Sequence, residues 1–120
     1  MEFYEGVFGG KLTMATFADF HASSDPSEDD LIMHADLEVP GGIRLMGADT
    51  PKRMEYRPGT NVSVSLSGES EPELRGYFEQ LSEGGSVTMP LEKAAWGDMF
   101  GMCTDRFGTQ WLVNVNAPKA

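Results

Sequence analysis

His34 and Asp36 stand two residues apart in Met33-His34-Ala35-Asp36-Leu37-Glu38-Val39, where apolar and polar residues alternate. Alternation of that kind sends both side chains from an extended backbone to one side. An imidazole changes charge near neutral pH, so His34 is the candidate acid or base of this chain. The plainer reading is a hydrogen-bonded strand histidine, since the pattern places no nucleophile or metal-ligand set beside it. Arg44 and Met46 fall on the polar side of the returning segment Ile43-Arg44-Leu45-Met46, Asn61, Ser63 and Ser65 alternate with Val62, Val64 and Leu66, and Gln110, Leu112 and Asn114 alternate with Trp111, Val113 and Val115. Most of these polar-side groups are uncharged hydrogen-bonders. A wall of this composition orients a small polar or aromatic ligand through a few placed contacts. Trp96, in an irregular stretch after Pro90-Leu91, offers an indole for stacking, with ordinary packing as the equal alternative. The expected ligand-binding set is therefore His34, Arg44, Asn61, Ser63, Trp96, Gln110 and Asn114.

Other residues that could do chemistry have plainer explanations. Cys103, the single cysteine, reads as a small buried hydrophobe rather than a nucleophile. In Asp105-Arg106-Phe107-Gly108 the aspartate caps a turn and the glycine supplies positive φ. Met33, Met89 and Met102, three of the eight methionines, lie in strand patterns and serve as core filling. His21 sits in a polar run of Ser, Asp, Pro and Glu over residues 21–30, the expected mobile loop.

The elements that must position these residues come as an internal echo. Phe3-Tyr4-Glu5-Gly6-Val7-Phe8-Gly9-Gly10-Lys11-Leu12-Thr13 is repeated, with one extra residue before the glycines, by Tyr77-Phe78-Glu79-Gln80-Leu81-Ser82-Glu83-Gly84-Gly85-Ser86-Val87-Thr88. Each copy reads as an aromatic-bearing helix end, a Gly-Gly stop and a strand. After the first copy, extended chain is expected over 12–20, then a hairpin of strands 32–39 and 43–48 about Pro40-Gly41-Gly42. The second copy is preceded by a strand over 61–67 and a helix that Ser70 caps, with Glu73 three residues on and Leu74, Tyr77, Phe78 and Leu81 as its buried stripe. Strand 86–91, a loop over 92–98 and a hairpin from 99 to 115 complete it. The pattern predicts an α+β chain of two βαβββ-type repeats, a curved mixed sheet with helices outside and a concave polar face, the first repeat lacking its opening strand. Repeat one spans 1–49, the linker 50–60 and repeat two 61–117, within a single domain of 1–120.

Composition bounds the rest. A chain of 120 residues can hold a core, and no apolar run approaches a membrane span. With 19 acidic against 9 basic side chains, the net charge of −10 repels phosphate backbones and anionic membranes, so neither nucleic acid nor membrane is an expected partner. One cysteine and no evident secretory leader imply a cytoplasmic protein.

Phe3-Tyr4-Glu5-x-Val7-Phe8-Gly9-Gly10, Met33-His34-Ala35, Arg44-Leu45-Met46, Pro90-Leu91, Trp96-Gly97, Phe100-Gly101-Met102 and Asp105-x-Phe107-Gly108-x-x-Trp111 run in order through almost the whole chain. Together they resemble the vicinal-oxygen-chelate superfamily of glyoxalases, bleomycin-resistance proteins and dioxygenases, and within it the PhnB-like branch. The resemblance implies the paired-repeat fold and a dimer covering exposed sheet edges. It also implies, for the enzymes, a divalent metal held by four His, Glu or Gln side chains. Carried onto this chain, one ligand position has no counterpart, and the others fall near Met46, on Asn61 and near Leu112, none a suitable donor. The expectation is thus a homodimeric small-molecule binder with no catalytic metal and no cofactor. The alternative is a metal-dependent glyoxalase- or dioxygenase-type enzyme whose site, including His34, is completed at a dimer interface.

Overall fold

In the computed structural model, which describes residues 1–118, the duplicated Gly-Gly has the same physical cause in both places. Helix α1 (Glu2–Phe8) stops at Gly9, whose φ of 71° is left-handed and whose N–H donates to Glu5 O at 2.8 Å. A Cβ on Gly10 would stand 2.1 Å from Glu38 O, the carbonyl of the residue that pairs with Lys11 at the head of strand β1 (Lys11–Thr16). Gly84 repeats the left-handed turn at φ 77°, and a Cβ on Gly85 would stand 2.0 Å from Thr104 O, beside the Ser86–Thr104 pair. Each unit turns from helix to strand on one glycine, and its next glycine lets the new strand close on its neighbour.

The chain divides into two units, Met1–Pro58 and Gly59–Ala120. In the first, β1, β2 (Ile32–Val39) and β3 (Ile43–Gly47) form an antiparallel sheet in the order β1-β2-β3. Alternation settles the faces: Ala35, Leu37 and Val39 are buried with Val7 of α1 and Phe17, while His34 and Glu38 are exposed. Phe3 and Tyr4 contact edge to face, centroids 5.4 Å apart. Extended chain stops at Thr16 rather than Phe20, because Thr16 and Asp19 exchange hydrogen bonds, N to Oδ2 at 2.9 Å and N to Oγ1 at 3.1 Å, which curls the backbone. The polar loop that follows contains a short 3-10 helix, Pro26–Glu28, capped by the Asp25 side chain.

The second unit runs β4 (Val64–Gly68), α2 (Glu71–Ser82), β5 (Ser86–Lys93), β6 (Met99–Thr104) and β7 (Gln110–Val115), with sheet order β4-β7-β6-β5. Strand β4 lies parallel to β7, and the other pairs are antiparallel. Ser70 caps α2 by accepting from Glu73 N, with proline in the first turn as the sequence foretells. Leu74, Phe78 and Leu81 bury against the sheet side that carries Cys103, Trp111, Val113 and Val115. Tyr77 departs from the expected stripe: it is half-buried, and its hydroxyl donates to Glu73 Oε1 at 2.7 Å, which raises the phenol's pKa.

Matched against one another, the units differ by one strand. In the second, β4 fills the outer edge of β7; in the first, no strand among the described residues pairs with the outer edge of β3. This is the α+β architecture expected of two βαβββ-type repeats, the first without its opening strand.

Candidate functional site

In the first unit the side chains turned away from the buried face come from three paired strands. Thr13 pairs with Asp36 and Asp36 with Met46, while Lys11 pairs with Glu38 and Glu38 with Arg44. Arg44 is already committed: Nε lies 3.2 Å from Asp36 Oδ1, and its terminal nitrogen pairs with Glu38. The Asp36 contact lacks hydrogen-bond alignment and leaves Oδ1 buried without a hydrogen-bond partner, so its attraction is Coulombic. An anionic ligand would have to compete with two carboxylates for this guanidinium. His34 is exposed at the β2 position paired with Ala15, and its imidazole makes no hydrogen bond to any described residue.

In the second unit, pairing begins at Val64 opposite Trp111, so Asn61 and Ser63 precede the strand that alternation extended to them. Ser63 still reaches the sheet, because its hydroxyl donates to Gln110 Oε1 at 3.2 Å. The adjoining rows are Ser65, Leu112, Met102 and Met89, then Ser67, Asn114, Phe100 and Glu92. The face that α2 leaves uncovered is thus polar at β4 and increasingly apolar towards β6.

Trp96 belongs to the turn beyond this apolar end. Its ring meets Phe100 edge to face at 5.4 Å, yet the residue remains 63% exposed. Asp98 fixes the turn: its Oδ1 accepts from Ala117 N at 2.6 Å and its Oδ2 from the Asn114 amide at 3.1 Å. Its backbone carbonyl accepts from Ala94 N at 2.7 Å. The Ala117 N–H, the Asn114 amide and the Trp96 side chain hold the Asp98 carboxyl below its ordinary pKa, so it is a carboxylate at neutral pH. Asn114 gives its remaining amide capacity to Asn116 Oδ1 at 2.9 Å.

The structure therefore brings Ser63, Gln110, Asn114 and Trp96 to one unit, and His34 and Arg44 to the other. Sequence reasoning missed Glu92, Asp98 and Phe100, and it assigned Met33, Met89 and Met102 to the core, whereas Met33 and Met89 are exposed and Met89 and Met102 lie in the row with Leu112 on the face that α2 leaves uncovered. The alternation of Phe100 and Met102 with Gly101 and Cys103 carried the signal for those two residues, whereas Glu92 was hidden because β5 runs on to Lys93. Burial raises the Cys103 pKa, as expected of an inert thiol.

A family model described as Glyoxalase/Bleomycin resistance protein/Dioxygenase superfamily matches residues 1–113. The chain belongs to this superfamily. It is 28% identical to Protein YjdN of Escherichia coli (strain K12), over 94% of this chain and 83% of that protein. Protein PA1353 from Pseudomonas aeruginosa has a similar structure, with a TM-score of 0.78 and 39% identity over 98% of this chain and 86% of that one. A Bacillus cereus PhnB protein, described as a putative 3-demethylubiquinone-9 3-methyltransferase, shares the fold at a TM-score of 0.71 and 21% identity, over 97% and 88% of the two chains. Around the positions that the resemblance assigns to metal ligands, the chain carries a thioether 62% exposed at Met46, an amide at Asn61 and a hydrocarbon at Leu112, a set that does not suit a divalent ion. Among the described residues, no group of three or more His, Cys, Asp or Glu side chains could hold a metal ion.

Proposed function

We propose that this superfamily member binds a small molecule on a helix-free sheet face without a catalytic metal. The observation that carries the reading is the Trp96 turn: an exposed indole is held by Asp98 and Phe100 at the rim of a face lined by Gln110, Leu112 and Asn114. Large apolar groups exposed yet fixed in position are what ligand sites require. Ser63 and Gln110 supply directional contacts, and Asn61 stands beside them in sequence. In the first unit, His34 and Arg44 are the residues of the corresponding face.

The same reading includes a homodimer, supported by an outer edge of β3 that no strand among the described residues covers, and a cytoplasmic location, supported by a lone buried thiol. The formal charge of −10 argues against nucleic-acid partners, and no described helix is long and apolar enough to cross a membrane. Elemental analysis of the purified protein tests the central point. Substoichiometric Mn, Fe, Ni and Zn is the expected result; one equivalent of any of them would overturn the metal-free reading, and its loss on His34→Ala substitution would favour the metal-dependent alternative.

A further inference from the structure

We infer that the second unit's open face selects an organic cation, a protonated or quaternary amine carried on an aromatic or aliphatic body. The inference rests on the small-molecule reading above and gives that ligand a charge. The apolar part of the site is the row Leu112, Met102 and Met89 beside Phe100 and Trp96. Thioethers and aromatic rings make a polarizable surface that accepts flat or branched hydrocarbon of varied outline.

The charge follows from what surrounds that surface. Glu92 is the cross-strand partner of Phe100, so its carboxylate leaves β5 on the same face, and Asp98 places a second carboxylate in the turn that holds Trp96. Cations of the unit are directed elsewhere. Arg75 pairs with Glu71 on α2, Arg106 donates to Glu83 O beside Gly84, and Lys93 follows Glu92 in β5 and so points to the opposite side. The described basic residues of this unit therefore offer no counter-charge to an anion here. A cation gains from both carboxylates and from the negative faces of an exposed indole and its neighbouring ring.

The pleat gives this arrangement a steric support. Pro90 and Leu91 stand opposite the single residue Gly101, where a Cβ would come within 2.8 Å of Leu91 Cα. That bulge restores the register, so that Met89 and Glu92 both share a face with their partners Met102 and Phe100.

Three probes of similar shape provide the test: benzyltrimethylammonium, benzyl alcohol and benzylphosphonate, titrated into the full-length protein while tryptophan emission is followed. Trp96 is exposed and Trp111 only 3% so, which lets the emission of Trp111 report that a Trp96→Ala protein remains folded. The ammonium is expected to bind most tightly, to weaken as salt is raised, and to lose about 3- to 30-fold in affinity on Trp96→Ala, the range of a cation–π contact. Glu92→Gln is expected to weaken the ammonium but not the alcohol. Equal or tighter binding of benzylphosphonate would overturn the assigned charge while leaving a small-molecule site in place. Absence of ammonium binding at millimolar concentration would overturn the inference, as would a change in oligomeric mass on Trp96→Ala, which would make the face a contact between copies of this chain. Failure of the underlying reading would be seen separately, as stoichiometric bound metal.

Discussion

Asp105 is 3% exposed, and its carboxylate accepts from Phe107 N at 2.9 Å, Thr109 N at 3.0 Å and the Trp111 indole at 3.0 Å. Its position in the turn Asp105-Arg106-Phe107-Gly108 was readable in sequence, since aspartate and glycine at that spacing close a turn and Gly108 has φ 89°. The bond to Trp111 was not, because it depends on a tryptophan brought inward by β7. Asp105→Ala leaves an indole N–H and two backbone donors without this acceptor in a buried place. We expect a loss of about 2 to 4 kcal/mol, measured by urea unfolding. A loss below about 0.5 kcal/mol would show that the turn is held by something else. Other residue-scale features escaped the sequence for a similar reason: which groups a side chain has already satisfied is a matter of pairing. Arg44 and Asn114 looked available to a ligand, yet each is engaged by neighbouring polar groups whose register only the folded sheet reveals.

At the scale of elements, patterns backed by covalent geometry were the most readable. Helix α2 begins and ends as its Ser70, Pro72 and Gly84 dictate, and the hairpin of β2 and β3 follows Pro40-Gly41-Gly42. Where alternation alone set a boundary it overran or fell short, because alternating residues can continue after a strand has lost its neighbour. Asn61 and Ser63 lie before the first β4–β7 pair, and Glu92 lies within a β5–β6 pair. The echoed Gly-Gly motif was visible as repetition, but its reason, a carbonyl 2.0 Å from the would-be Gly85 Cβ, is tertiary. Gly85→Ala must therefore displace backbone at the head of β5. The expected loss is about 2 kcal/mol or more, read as a lowered unfolding midpoint, whereas Gly76→Ala, where a Cβ on α2 meets nothing within 4 Å, is expected to raise the midpoint through better helix propensity. Equal effects of the two substitutions would contradict the close-approach explanation.

For the whole molecule, the repeat and its motifs were enough to anticipate the superfamily, whose model spans residues 1–113. The consequence with most weight is the difference between the units, a β7 covered by β4 and a β3 whose outer edge is free among the described residues. An uncovered edge with exposed Ile43 and Met46 favours association. Light scattering is expected to give twice the chain mass of 13.1 kDa at micromolar concentration, and a monomer there would remove the dimer from the account. Ligand binding without a catalytic metal can be read from an NMR titration of chelator-treated protein with a set of small polar and aromatic molecules. Saturable shifts confined to the neighbourhood of Trp96, Phe100, Gln110 and Asn114 are the expected result; shifts that arise only after a divalent metal is restored would contradict it.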